Sequence, residues 1–179
     1  MKNNHRQEIP LDLLKLCADR YSLRACADSP IPDEVLNQIL EAGRLAPTAM
    51  NLQPQRVFVI RSEEALAKMR SVKKCYGANT VLMICGDTEA ACNKPIVDHS
   101  MAEMDCTIVT TQMMLAAQSF GVGSCWICAF DVPAMHKVFD LPENLTPYIL
   151  LALGYPAEDA APGPRHFERY PMEHTVTEL

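Results

Sequence analysis

A long apolar helix that turns directly into a short strand decides the fold of this chain. The helix ends in Met113-Met114-Leu115-Ala116-Ala117, and the strand follows within Gly121-Val122-Gly123-Ser124-Cys125-Trp126-Ile127. The helical pattern covers residues 98–120, and Gly121 suits the left-handed position that ends a helix. Because residues 113–117 are apolar almost all round, this helix is predicted to lie in the centre of a core or in a subunit interface.

Shorter elements on both sides of this helix give the order of the fold. Helices are predicted over residues 11–18, from residue 32 onward, after Ser62 and over residues 131–139. Strands are predicted over residues 56–61, 80–85, 124–127 and 148–153. This order indicates an α+β or α/β sandwich with a small sheet. We expect one domain over residues 1–179, in which residues 154–179 form an extended C-terminal tail.

The composition is that of an acidic globular protein. Of 179 residues 49% are hydrophobic, and 16 Lys and Arg stand against 22 Asp and Glu, giving a net charge of −6. Nucleic acid is therefore not an expected partner, because such binding rests on basic surface. The longest apolar runs fall short of the ~18 residues that a membrane span needs. Residues 1–8 are polar and lack a signal-peptide core, so we expect a cytoplasmic protein whose 8 cysteines are mostly reduced.

The segment Arg20-Tyr21-Ser22-Leu23-Arg24 is the first candidate site. In extended backbone Arg20, Ser22 and Arg24 share one face, while Tyr21 and Leu23 lie on the other. Two guanidinium forks and a hydroxyl group suit a phosphate, which offers several acceptor oxygens and more than one negative charge. Taken alone, the segment also fits a solvated turn with two surface arginines.

The second candidate site lies between Pro47 and Pro54, directly before the first predicted strand. Its polar residues are Thr48, Asn51 and Gln53, and the two amides alternate with apolar neighbours. Side-chain amides carry both donors and acceptors, so they can bind the edge of a heterocycle that has both. Taken alone, this stretch also fits a rigid turn.

A third candidate combines Gly121-x-Gly123 with Cys125-x-x-Cys128. The Gly-x-Gly pattern follows a helix and enters a strand, which is the reverse of the context in a dinucleotide-binding site. The two cysteines leave a redox dithiol or half of a zinc site as an alternative, although the sequence has no second C-x-x-C.

Three possible metal ligands are spaced as neighbours on a helix. His99, Glu103 and Cys106 recur at helical intervals near the start of the long helix, with Asp98 beside them. Without a clear further ligand this pattern is more typical of a solvated helix face. We therefore expect no metal site.

Together these stretches resemble the flavin-dependent nitroreductase family over about residues 15–165. The features that carry the resemblance are, in chain order, Arg20-Tyr-Ser-x-Arg24, Ala46-Pro47-Thr48-x-x-Asn51-x-Gln53-Pro54, Gly121-Val-Gly-Ser-Cys-Trp-Ile127, Leu141-Pro142-Glu143, Leu151-Ala-Leu-Gly-Tyr-Pro156 and Pro164-Arg165. The resemblance implies an α+β three-layer sandwich with a small, mainly antiparallel four-stranded sheet flanked by helices. It also implies a homodimer with the long central helix in its interface.

The resemblance further implies one FMN at each of two interface sites. The cofactor-binding residues that it indicates are Arg20, Tyr21, Ser22, Arg24, Pro47, Thr48, Asn51, Gln53, Cys128, Ala129 and Arg165. The arginines and Ser22 are expected at the phosphate, and residues 47–53 are expected to approach the flavin from the other subunit. The backbone of Cys128 and Ala129 is expected to face flavin N5. Gly163 stands where some relatives place a Lys, which would leave the phosphate with one cation fewer.

The implied activity is a ping-pong transfer of electrons from NAD(P)H to nitro, quinone or similar electron-poor acceptors. Since a flavin performs hydride transfer itself, no side chain is expected to be catalytic. Two alternatives stay open. One is a non-catalytic flavin-binding protein of the same fold, and the other is a thiol or metal protein that uses Cys125 and Cys128.

Overall fold

The computed structural model describes residues 12–94 and 99–179. Its α-helices are α1 (Leu13–Asp19), α2 (Asp33–Arg44), α3 (Glu63–Val72), α4 (Ala102–Ser119), α5 (Val132–Phe139) and α6 (Met172–Thr175). Its strands are β1 (Gln55–Ile60), β2 (Thr80–Asp87), β3 (Gly123–Ile127) and β4 (Leu145–Gly154). Two short 3₁₀ turns cover Ala49–Asn51 and Pro164–His166. The chain is therefore α+β, as predicted.

The four strands form one antiparallel sheet in the order β1-β2-β4-β3. Between Ile84 and Cys85 the pairing of β2 with β4 shifts, so that Cys85 lies opposite Pro147 and Tyr148 is passed over. Proline is tolerated inside a strand at such an irregularity, where the ladder does not need its missing N–H. This explains why β4 starts at Leu145, before the predicted start at residue 148.

The sheet separates two apolar layers. On one face Val81 and Met83 of β2 pack with residues of α3 and α5, such as Met69 and Met135. On the other face Leu82 and Ile84 pack with α2 and α4. Strand β2 is thus buried on both sides, which is why its sequence reads as a continuous apolar run rather than an alternating one. Helices cover both faces of the sheet, so the fold is the predicted three-layer sandwich.

Helix α4 begins at Ala102, later than the predicted start at Asp98, which lies outside the described residues. His99 precedes the helix, so the helical spacing of His99, Glu103 and Cys106 does not put these three on one face. Glu103 is exposed, whereas Cys106 is fully buried against the sheet. The three residues therefore do not form the solvated helix face that their spacing indicates. Across residues 12–94 and 99–179 no group of three or more His, Cys, Asp and Glu side chains could hold a metal ion.

The two ends of the described chain lie on the outside of the sandwich. Helix α1 starts at Leu13 after an Asp12 cap, while residue 11 of the predicted helix lies outside the described residues. No residue of α1 is buried, although the helix contacts α4. After Gly154 the chain is mostly irregular and contains the turn Pro164–His166 and α6. Of the helices described, none is both long and apolar enough to cross a bilayer.

Candidate functional site

Residues 20–24, called the arginine segment below, are fixed beside the edge strand β3. Ser22 forms an isolated parallel bridge with Ser124, and the Leu23 N–H donates to the Ser124 carbonyl at 2.8 Å. Leu23 is 1% exposed and packs on Gly123, where a Cβ atom would lie 2.5 Å from Leu23 Cδ2. Glycine at position 123 and leucine at position 23 therefore hold the segment against the sheet. Its polar residues stay at least partly exposed.

The C-terminal tail folds back along the continuation of the arginine segment. The Ala27 N–H donates to the Tyr155 carbonyl at 2.8 Å, and the Ala157 N–H donates to the Ala25 carbonyl at 3.0 Å. Between this tail and the arginine segment lies a cavity of about 540 Å³, called the arginine cavity below. Its lining residues are Arg20, Tyr21, Ser22, Arg24, Gly163, Pro164, Arg165, His166, Glu168 and Arg169. The structure thus brings Arg165, which the family resemblance indicated, to the same cavity as the arginine segment.

Three guanidinium groups of the arginine cavity are available to an anion. Within the described residues, no acidic side chain forms an ion pair with Arg20, Arg24 or Arg165. Arg24 instead lies over the ring of Tyr76, with its Cζ atom 5.9 Å from the ring centre. A chain with a net charge of −6 therefore gathers positive charge at one place. Such a cluster can bind a dianionic group through charge-assisted hydrogen bonds.

Arg169 is a cavity residue that the sequence analysis missed. Its Nη1 atom donates to the carbonyl oxygens of His166 at 2.7 Å and of Glu168 at 2.6 Å, which closes the turn of the tail. The guanidinium group of Arg169 adds a positive charge to the cavity lining, to which Gly163 contributes no charge. Residues 165–169 do not form an α-helix, so no periodic pattern in the sequence indicated that Arg169 would reach the cavity.

Tyr21 also lines the arginine cavity, although strict alternation put it on the face opposite Arg20. The segment makes isolated bridges rather than a regular ladder, so a two-residue period does not hold throughout it. The Tyr21 ring meets the ring of His166 edge to face, with centres 6.3 Å apart. His166 is a second lining residue that the sequence analysis missed, and it links the tail to the segment.

The second candidate, residues 47–54, forms a strained turn before β1. Met50, Asn51 and Gln53 all have positive φ, at 54°, 56° and 52°. Positive φ is unfavourable for residues other than glycine and persists only where surrounding contacts impose it. Within the loop, the Gln53 N–H donates to Thr48 Oγ1 at 3.0 Å, and Gln53 Nε2 donates to the Asn51 carbonyl at 3.2 Å. None of the predicted residues Pro47, Thr48, Asn51 and Gln53 lines the arginine cavity.

Asp105 of α4 positions this loop, and the sequence analysis missed it. Its Oδ1 atom accepts a hydrogen bond from the Ala49 N–H at 2.8 Å, across 56 positions of sequence. Asp105 is 1% exposed, and its Oδ2 atom has no hydrogen-bond partner within the described residues. Burying a carboxylate is costly unless it is hydrogen-bonded, so the contact to Ala49 offsets part of that cost. An acid in the first turn of a mostly apolar helix gave no sign of which loop it would bind.

Cys128 and Ala129 follow the end of β3, and both are exposed. Trp126 Nε1 lies 3.0 Å from Cys128 Sγ in hydrogen-bonding geometry. Neither Cys128 nor Ala129 lines the arginine cavity. Their predicted role at flavin N5 stays a prediction.

The alternative based on a cysteine pair loses support from the geometry. Cys125 is 2% exposed in the apolar layer against α3 and α5, whereas Cys128 lies outside it. Burial raises the pKa of the Cys125 thiol, which lowers its reactivity at neutral pH. The two cysteines thus occupy different surroundings and do not form one reactive site.

Comparison with known proteins assigns the chain to a family. The sequence profile of the nitroreductase family matches residues 17–80 and 68–155. The chain belongs to the nitroreductase family. The family resemblance read from the sequence is thereby confirmed, and the chain is an oxidoreductase of this family.

Individual relatives agree with this membership. A protein of Archaeoglobus fulgidus whose name gives it NADH dehydrogenase or NAD(P)H nitroreductase activity is 30% identical over 156 residues, 83% of this chain and 87% of that protein. The crystal structure of a nitroreductase family protein from Clostridium difficile 630 is 33% identical with a TM-score of 0.86, and covers 92% of this chain and 96% of that one. A nitroreductase from Exiguobacterium sibiricum 255-15, solved in complex with FMN, is 22% identical with a TM-score of 0.79, covering 94% and 97%. The last similarity shows the fold alone.

Proposed function

We propose that this chain is an FMN-dependent oxidoreductase that transfers electrons from NAD(P)H to nitro, quinone or similar electron-poor acceptors by a ping-pong cycle. The observation that carries the proposal is the arginine cavity. It gathers four arginines around about 540 Å³, and Arg20, Arg24 and Arg165 form no ion pair within the described residues. Membership in the nitroreductase family and the FMN complex of a protein with the same fold support the choice of ligand.

The donor groups of the cavity fit the phosphate of FMN. Arg20, Arg24 and Arg165 supply planar forks of N–H donors, and Ser22 supplies a hydroxyl group. A phosphate monoester carries more than one negative charge at neutral pH, so several guanidinium groups around one phosphate are favourable. Glu168 is the acidic member of the lining and opposes this charge only in part.

When bound, FMN supplies the hydride chemistry, and the chain supplies binding and orientation. The arginine segment and Arg165 hold the phosphate at one end. We place the backbone of Cys128 and Ala129 beside flavin N5, where an N–H donor would orient the ring. This arrangement requires no side chain as a general base.

The remaining predicted contacts support a homodimer in which each flavin lies between two chains. Residues 47–53 line a different part of the surface from the arginine cavity, so we place them at the partner's flavin. Helix α1 buries none of its residues, and its Leu13 and Leu14 are 56% and 82% exposed. In the tail, Phe167 and Tyr170 are each 75% exposed. A second copy of this chain would cover these apolar groups.

The proposed function is tested by an absorption spectrum of the purified protein, followed by an assay of NAD(P)H oxidation. We expect the freshly purified protein to show the absorption of bound flavin and to oxidise NADH or NADPH when a quinone or nitroaromatic acceptor is present. Bound flavin without turnover would favour the non-catalytic flavin-binding alternative. A protein that takes up no FMN on titration would refute the proposal. Light scattering should give the mass of two chains of 19.9 kDa, and a flavin-loaded monomer would refute the dimer.

We also propose that the protein is cytoplasmic and that residues 1–179 form one domain. All 8 cysteines are free, which supports a reducing and therefore cytoplasmic setting. The tail lines the arginine cavity together with the arginine segment, which supports a single domain that includes residues 154–179.

A further inference from the structure

A second cavity lies on the α3 side of the sheet and shares no lining residue with the arginine cavity. Its volume is about 460 Å³, within the usual range for small-molecule sites. Its walls include Leu66, Met69, Ala78 and Val81, which are 7%, 0%, 5% and 0% exposed. We call this the α3 cavity. Such walls exclude water and favour the apolar body of a ligand.

Two cations also line the α3 cavity. Arg70 belongs to the last turn of α3, and Lys74 follows the end of that helix; both are exposed. Within the described residues, neither forms an ion pair, whereas Lys68 on the same helix pairs with Glu64 at 2.9 Å. Among the residues that the structure describes, Arg70 and Lys74 therefore have no acidic partner of the kind that Lys68 has, although acidic residues are in excess in the chain.

A turn with fixed geometry closes the cavity on the side of residues 76 and 77. Tyr76 and Gly77 have positive φ, at 56° and 76°, and the Ala78 N–H donates to the Cys75 carbonyl at 2.9 Å. The Tyr76 side chain also contacts Arg24, whose guanidinium group lies over its ring. The cavity is therefore bordered by a hydrogen-bonded turn.

We infer that the α3 cavity binds a small amphipathic carboxylate, with its hydrocarbon part against Leu66, Met69 and Val81 and its carboxylate at Arg70 and Lys74. The apolar walls select a hydrocarbon body, and the two cations select a negative head group. The planar fork of Arg70 suits the two oxygens of a carboxylate. The lining residues differ from those of the arginine cavity, and the contact between Tyr76 and Arg24 links the two cavities.

Titration calorimetry of the protein saturated with FMN tests the inference, with decanoate as the probe and decan-1-ol as its neutral match. We expect one saturable decanoate site per chain and roughly three- to tenfold weaker binding of the alcohol, the scale of partly exposed charge pairs. Absence of saturable binding, or equal affinity for acid and alcohol, would overturn the inference. Decanoate that displaces FMN would also overturn it, because that result places the acid in the arginine cavity.

Variants locate the site. Arg70→Gln/Lys74→Gln should remove the preference for the acid, while the charge-matched control Lys15→Gln/Lys68→Gln should keep it. Ala78→Leu should fill the cavity and abolish binding of both probes, with folding checked by circular dichroism. If the Ala78→Leu protein does not fold, the charge variants decide by themselves. Retained preference for decanoate in Arg70→Gln/Lys74→Gln contradicts the inference.

Discussion

Two segments of this molecule are held in place by opposite means. The arginine segment is anchored by an apolar side chain, Leu23, which packs on Gly123 of the sheet. Residues 47–54 are anchored by a buried carboxylate, Asp105, which reaches one backbone N–H. The apolar anchor follows from the two-residue alternation of the segment itself. The polar anchor lies 56 positions away and follows only from the folded structure.

The largest expected effect comes from removing the apolar anchor. Leu23→Ala should cost about 2–5 kcal/mol of unfolding free energy, because it leaves a cavity under the arginine segment. FMN affinity should fall as well, since the segment carries Arg20 and Arg24. The control is Leu45→Ala, whose side chain is 65% exposed and should change stability by at most about 0.5 kcal/mol. Urea unfolding and FMN titration measure the two effects, and equal losses in both variants would disprove the anchor.

The polar anchor predicts a difference between two variants of one residue. Asp105→Ala leaves the Ala49 N–H without its partner and should cost about 1–3 kcal/mol. Asp105→Asn keeps an acceptor and removes a buried charge whose second oxygen has no partner, so it should be as stable as the parent or more stable. Urea unfolding of both variants tests this. An Asn variant that is less stable than the Ala variant would contradict the role of the hydrogen bond to Ala49 as the anchor of the loop.

The next prediction concerns the reactivity of the cysteine thiols and not the free energy of unfolding. Burial raises the pKa of Cys75 to about 11 and of Cys85 and Cys106 to about 12. Among the described residues of the single chain, Cys17 and Cys128 are the exposed cysteines, so a thiol reagent at neutral pH should modify these two before the others. The proposed second chain over α1 should slow the reaction of Cys17, and bound FMN should slow that of Cys128. Cys128→Ser should retain FMN binding. Loss of flavin in this variant, with the fold intact, would revive the thiol alternative.

The smallest expected change in stability concerns Asp87, which contacts the C-terminal end of the loop formed by residues 47–54. Its N–H donates to the Pro54 carbonyl at 2.9 Å, and hydrogen bonding from Asn144 holds the pKa of its carboxyl group below the usual range. A lowered folded-state pKa stabilises the protein above the ordinary carboxyl pKa of about 3.9 and loses this effect as pH falls through the folded-state value. Asp87→Asn should therefore be less stable than the parent at pH 7, with a gap that closes in acid. A gap independent of pH would contradict this.

Much of the fold was predictable because it depends on local pattern. The apolar runs of β1 and β2 and the caps at Ser62 and Asp131 place their elements within a few residues of the structure. The start of β4 was not predictable, since a strand that contains Pro147 requires the shifted pairing opposite Cys85. The start of α4 was set too early because residues 98–101 continue a helical pattern that the described residues 99–101 do not adopt.

The candidate site was predictable where charge and alternation act locally. Arg20, Ser22 and Arg24 follow from one extended segment, and the resemblance added Arg165. Arg169 and His166 were missed because the tail has no periodicity, so its return to the segment depends on the pairing of residues 155–157 with residues 25–27. Asp105 was missed because a buried acid does not reveal its partner.

The comparison of FMN with riboflavin, which lacks the phosphate, tests the central claim most directly. Titrations of the parent and of Arg20→Ala, with Arg44→Ala as a control whose guanidinium pairs with Glu41, should separate phosphate binding from ring binding. We expect Arg20→Ala to weaken FMN roughly ten- to 150-fold, the scale of a charged hydrogen bond, and to leave riboflavin unchanged. An Arg20→Ala protein that keeps the parent's preference for FMN over riboflavin would contradict the account.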